Sequence, residues 1–150
     1  MDTLTPEQRH KNMSHIRSVE TKPEILIRRA LFKMGFRFRK NDKRLDGKPD
    51  VVLPHYHAVI FINGCFWHGH EGCSQYVVPK TNSDFWLSKI NRNKERDEYQ
   101  IKNLIENGWR VAVVWECSIS GRKRSEKLDD IASKLCYWLE EEPESLRIEF

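Results

Sequence analysis

Trp109-Arg110-Val111-Ala112-Val113-Val114-Trp115 reads as a β-strand built almost wholly from apolar residues. A strand apolar on both faces is covered on both sides, and such strands occupy the middle of a sheet flanked by helices. A second apolar run, Ala58-Val59-Ile60-Phe61-Ile62, belongs to a strand from His57 to Ile62. Between the two runs, Ser83-Asp84 caps a long helix carrying Leu87, Ile90, Ile101, Leu104 and Ile105, and Gly108 ends it. A helix between two strands permits a parallel crossover.

Working outward, Val51-Val52-Leu53 is a strand separated from the next by a turn at Pro54, and Phe36-Arg37-Phe38-Arg39 alternates as a strand does. Thr5-Pro6-Glu7-Gln8 and Thr21-Lys22-Pro23-Glu24 are capping boxes. The first opens a short helix to about Ile16. The second opens a helix through Ile27, Leu31 and Met34 that Gly35 stops. Leu128, Ile131, Leu135, Trp138 and Leu139 form the stripe of a last amphipathic helix. The expected class is α/β, a mixed central sheet flanked by helices. One domain spans 1–150, with a basic N-terminal helix in 1–20 and an acidic tail in 140–150.

The hydrophobic share, 39%, suffices for a core at this length. No apolar run approaches the ~20 residues of a membrane span, and the polar N-terminus lacks a signal-peptide core. A cytoplasmic protein is expected, in which four cysteines read better as metal ligands or core thiols than as disulfides. Net charge is +4, distributed unevenly. Residues 1–48 hold 13 Lys/Arg against 6 Asp/Glu, while 125–150 hold 3 against 8. A basic N-terminal third suits a polyanion, or is simply a solvated basic surface.

Asn63-Gly64-Cys65-Phe66-Trp67-His68-Gly69-His70-Glu71-Gly72-Cys73 carries the chemistry. Cys65, His70 and Cys73 are spaced C-x4-H-x2-C, and Cys117 follows the central strand. Four such ligands would make a closed tetrahedral zinc site pinning the loop to the sheet. The plain alternative is buried thiols beside a surface histidine. His68 could replace Cys117 as fourth ligand, but four candidates exist without it, which leaves it for chemistry. Cys136, at the edge of the last helix's stripe, reads as a core thiol.

Phosphodiester hydrolysis needs charge neutralisation and a group to take a proton from water. Asp50, just before a strand, suits magnesium, and His68 suits the proton. Read singly, Asp50 is a turn aspartate and Glu24 a capping residue. Phe66 and Trp67, in a short polar loop, favour exposure, and Trp86 could join them. Met13 lies on a basic helix with Arg9, Lys11 and Arg17, where packing is its simplest role.

Asn63-Gly64-Cys65-Phe66-Trp67-His68, Phe85-Trp86-Leu87-Ser88-Lys89-Ile90, Glu95-Arg96-Asp97, Gly108-Trp109-Arg110-Val111 and Val114-Trp115-Glu116-Cys117 together resemble the very short patch repair (Vsr) endonucleases, from about Lys11 to Gly121. The resemblance implies a fold like that of type II restriction endonucleases. It implies a Mg²⁺-dependent enzyme that nicks double-stranded DNA 5′ to the thymine of T:G mismatches left by deamination of 5-methylcytosine. By position, Asp50 corresponds to the Mg²⁺-binding aspartate, His68 to the general base and Glu24 to the helix glutamate that assists through water. The Ile62 backbone carbonyl corresponds to a further Mg²⁺ ligand. Cys65, His70, Cys73 and Cys117 correspond to the structural zinc ligands. Met13, Phe66 and Trp67 correspond to residues that wedge into the base stack, and Trp86, Lys89 and Asn93 to residues near the mismatch. Ile62-Asn63 departs from the Thr-His common in that family.

The implied protein is a bacterial, nucleoid-associated monomer, with mismatch repair proteins as further partners and no membrane role. Two other readings compete: a restriction-like nuclease for another site or lesion, and a non-catalytic zinc-stabilised DNA-binding module.

Overall fold

The computed structural model of this chain describes residues 21–150. The Thr5 capping box, its helix and Met13 lie outside them. In chain order the elements are α1 (Lys22–Lys33), β1 (Arg39–Lys40), β2 (Val51–Leu53), a 3-10 turn (Pro54–Tyr56), β3 (Ala58–Asn63), α2 (Ser83–Glu106), β4 (Arg110–Trp115), a second 3-10 turn (Glu116–Ile119), α3 (Arg124–Glu141) and β5 (Arg147–Glu149). The sheet order is β1-β2-β3-β4-β5, the order of the chain itself. β1–β2 and β2–β3 are antiparallel, whereas β3–β4 and β4–β5 are parallel. This is the expected mixed α/β sheet, and α2 is the expected crossover.

Strand side chains alternate between faces, so each apolar strand feeds two cores. Ala58, Ile60, Ile62, Ala112 and Val114 meet Ile27 and Leu31 of α1 and Ile131, Leu135, Trp138 and Leu139 of α3. Val52, Val59, Val111 and Val113 meet Ile101 and Leu104 of α2 on the other side. Trp138 is wholly buried and donates its indole N–H to the Ser145 carbonyl at 3.1 Å. Its removal should cost about 3–5 kcal/mol. Arg110, the polar residue of β4, turns its guanidinium to the Trp138 and Leu139 carbonyls at 3.1–3.3 Å, closing the C-terminal end of α3.

Three local expectations change. The first strand is only Arg39–Lys40, not a run from Phe36. Phe36 donates its backbone N–H to the Leu31 carbonyl, so its donor finishes α1, while its ring enters the core. Thr21 stands at the N-cap of α1 but its side chain makes no capping hydrogen bond, and α2 starts from Asn82 in a left-handed conformation without a side-chain cap. Third, β5 forms from a polar segment within the acidic C-terminal stretch. Glu98 of α2 holds it in place by accepting two hydrogen bonds from Arg147, at 2.6 and 2.9 Å. No helix among the described residues is long and apolar enough to cross a membrane.

The N-terminal half of α2 has one buried residue, Ile90, and overhangs the sheet. The 63–73 loop packs against it through Gly69 at φ 61, where a Cβ would come 2.7 Å from Ile90 Cγ2. Glycine is required here by both backbone and space.

Candidate active site

Asp50 immediately precedes β2, and its Oδ2 accepts the Ile62 backbone N–H at 2.7 Å. The antiparallel register, Val51 opposite Ile60, brings the two together. From the other side Arg28 donates through Nε and Nη2 to the Asp50 carbonyl, at 3.3 and 2.8 Å. Arg28 Nη2 also lies 3.4 Å from Glu24 Oε2, one helical turn earlier. Glu24 and Arg28 are both buried. Glu24 therefore faces inward, toward the Asp50 side of α1.

Burial pushes the Asp50 carboxyl up to about 7. The Ile62 N–H opposes that rise, the Glu24 charge adds to it, and Arg28 and His68 oppose it. A carboxyl that ionises reluctantly alone gains most from an incoming cation, which restores the charge balance lost on burial. Glu24 and Asp50 thus fit a hard divalent ion.

His68 and Asp97 close the same cleft, about 570 Å³ in volume, whose lining includes Glu24, Asp50, Ile62 and Asn63. His68 Nδ1 lies 2.5 Å from Asp97 Oδ2. With its N–H given to the carboxylate, His68 keeps the Nε2 lone pair for a proton. Asp97 received no role from the sequence, where it sits in the polar middle of a helix. A signal was nonetheless there. Trp86, Lys89, Asn93 and Asp97 follow one another at three- and four-residue steps and so share a helix face.

That face meets the loop's aromatics. Phe66, Trp67 and Trp86 are half-buried against one another, with centroids 5.2–5.9 Å apart and rings edge-on. The expected exposure of Phe66 and Trp67 is thus only partial. Lys89 Nζ lies 5.6 Å from the Trp67 ring and 6.0 Å from Trp86. Asn93 donates to the Trp67 carbonyl at 3.0 Å, tying the loop to α2.

Cys65, His70, Cys73 and Cys117 place their ligand atoms within 4.8 Å of one another. The parallel register explains the meeting of distant residues. Asn63 pairs with Trp115, and Cys65 and Cys117 each lie two residues further on. The His70 ring stacks on Trp115 with centroids 4.1 Å apart, and Cys117 Sγ is 3.5 Å from its Nδ1. Burial pushes the Cys65 thiol up to about 12 and raises Cys117, while the Gln75 backbone N–H lowers Cys73. A metal would supply the charge that ionises such thiols. His68 stands outside this group, engaged with Asp97. Cys136 is on α3, away from it, 3.9 Å from Glu140.

The family described as DNA mismatch endonuclease Vsr matches residues 1–75. The DNA mismatch endonuclease Vsr of Escherichia coli (strain K12) is 43% identical over 143 residues, covering 94% of this chain and 89% of its own. The type II nicking enzyme V.NmeAIP of Neisseria meningitidis serogroup A / serotype 4A is 51% identical over 121 residues, 81% of this chain and 86% of its own. The type II nicking enzyme V.XorIIP of Xanthomonas oryzae pv. oryzae is 46% identical over 119 residues, 79% and 87%. At that identity and coverage, with both clusters assembled, the chain belongs to the Vsr family of DNA mismatch endonucleases.

Proposed function

We propose that this endonuclease nicks double-stranded DNA 5′ to the thymine of a T:G mismatch, with Mg²⁺ in the cleft and Zn²⁺ in the cysteine cluster. The observation that carries the reading is the cleft itself, which the Asp50 carboxyl and the His68–Asp97 pair line together. Mg²⁺ on Asp50, with Glu24 and the Ile62 carbonyl beside it, would supply charge neutralisation at the scissile phosphate. His68 Nε2 takes a proton from the attacking water as that oxygen bonds to phosphorus and the P–O3′ bond breaks, the departing O3′ taking up a proton from solvent to end as a 3′-hydroxyl. Asp97 fixes the imidazole's orientation and balances its positive charge.

Phe66 and Trp67 enter the base stack beside the mismatch, and Trp86, Lys89 and Asn93 flank it. Opening a step costs a few kcal/mol, least where pairing is already poor. The basic segment 1–20, with Met13, adds phosphate contacts and a further wedge. The single domain acts as a monomer in the bacterial cytoplasm, and mismatch repair proteins are its further partners. Three thiols and one imidazole suit zinc. Because the cluster joins the ends of β3 and β4, Cys65, His70, Cys73 and Cys117 would hold that ion so as to fix the loop carrying Phe66, Trp67 and His68.

Nicking of end-labelled T:G and matched duplexes, with and without Mg²⁺, tests this reading. Cleavage of the T:G strand alone, and only with Mg²⁺, supports it. Equal cleavage of the matched duplex favours a fixed-sequence nickase, the reading suggested by relatives named type II nicking enzymes. Binding without cleavage leaves the DNA-binding module.

A further inference from the structure

The Lys48 backbone, two residues before Asp50, stands in the left-handed region at φ 48. A side chain with a Cβ takes that conformation at a cost, and such strain persists only where the surroundings impose it. Here they do. Lys48 donates its N–H to the Leu45 carbonyl at 3.1 Å, closing a turn, and the following proline disfavours the right-handed helical region. The turn is pressed onto the fold at Gly47, φ 78, where a Cβ would come 2.8 Å from Gln100 Oε1 and 3.0 Å from Phe61 Cε1. The strained residue thus projects from a docked turn. A glycine would suit this backbone better, yet the position carries a flexible cation.

That cation lines the cleft with Glu24, Asp50 and His68. Lys48 is exposed and makes no ion pair among the described residues. The cleft carries Glu24, Asp50 and Asp97 together with the cations Lys43, Lys48 and Arg96, and a DNA strand crossing it brings more negative charge. An unpaired ammonium at the rim is placed to offset that charge.

We propose that Lys48 is a phosphate-contact residue of the cleft, its ammonium binding the backbone of the DNA strand that lies over Asp50. The proposal rests on the endonuclease reading of this cleft.

The test is Lys48→Gly beside Lys48→Arg in the full chain. Lys48→Gly should melt ~1–4 °C above wild type, since the strain is relieved. It should nonetheless lose ~10–100-fold in nicking kcat/KM, as expected for a lost charge-assisted contact. The slope of log binding constant against log salt, on a matched duplex, should shrink by ~0.9. Lys48→Arg should keep the wild-type slope. A wild-type slope for Lys48→Gly would overturn the contact, and a melting temperature below wild type would overturn the strain argument. If the wild-type protein nicks neither duplex, the endonuclease reading fails, but the salt slope still decides on Lys48.

Discussion

His68 Nδ1 and Asp97 Oδ2 lie 2.5 Å apart, although the two residues are separated by 29 positions in the chain. The pair fixes an otherwise rotatable imidazole and leaves it one free nitrogen, the one proposed to act as base. Asp97→Asn should lower kcat for nicking by up to ~10²–10⁴-fold, the span of general-base assistance. Affinity for mismatched DNA should stay close to wild type. Equal loss in affinity and turnover would make Asp97 a packing residue rather than a positioning one.

Asp50 gives a pH signature. In the folded protein it holds its proton up to about pH 7, whereas unfolded it ionises near 3.8. Between those values the folded state binds more protons, so this group's contribution to stability falls as pH rises and levels off above about 7. Asp50→Asn should remove that slope from metal-free thermal unfolding curves and abolish nicking while sparing DNA binding. The Mg²⁺ proposed to bind here would have to displace the same proton, so its affinity measured by calorimetry should drop ~10-fold per unit below neutrality. Parallel stability–pH curves for wild type and Asp50→Asn would contradict this.

Cys117→Ser should abolish metal binding at the proposed zinc cluster, because among the described residues it removes the one cluster member contributed from beyond β4. Structural zinc contributes directly to folding free energy. One zinc per chain is expected by elemental analysis of wild type, with a metal-free and markedly less heat-stable variant. A zinc-free wild type that folds and nicks would remove the metal centre.

Trp67→Ala should weaken binding to a T:G duplex far more than to a matched one. Stacking between a base and an aromatic ring is worth ~1–3 kcal/mol. Paired titrations at one salt concentration measure the difference. Equal losses would mean that the Phe66–Trp67–Trp86 cluster is packing alone.

The elements most legible in the sequence were those with a repeated signal. The apolar runs 58–62 and 109–115 announced two central strands, and the stripe from Leu128 to Leu139 announced α3. The Cys/His cluster was legible because three of its members fall within nine residues. What stayed hidden depends on pairing across the fold. β5 is short and polar, and it forms because β4 offers an edge and Glu98 holds Arg147. Arg28 resembles any helix arginine until β2 brings the Asp50 carbonyl to it. The Thr21-Lys22-Pro23-Glu24 box also misled in part, since Glu24 turns toward the cleft and the threonine side chain caps nothing.

Because the strands lie in the sheet in the order they leave the ribosome, each can dock on an edge its predecessor has just exposed. Such an assembly keeps chain-closure costs low, apart from the two parallel crossovers through α2 and α3. Glu24 and Asp50 are in place once β2 and β3 have paired, but Asp97, the partner of His68, arrives only with α2. A growing chain therefore holds the carboxylates long before it holds the oriented histidine.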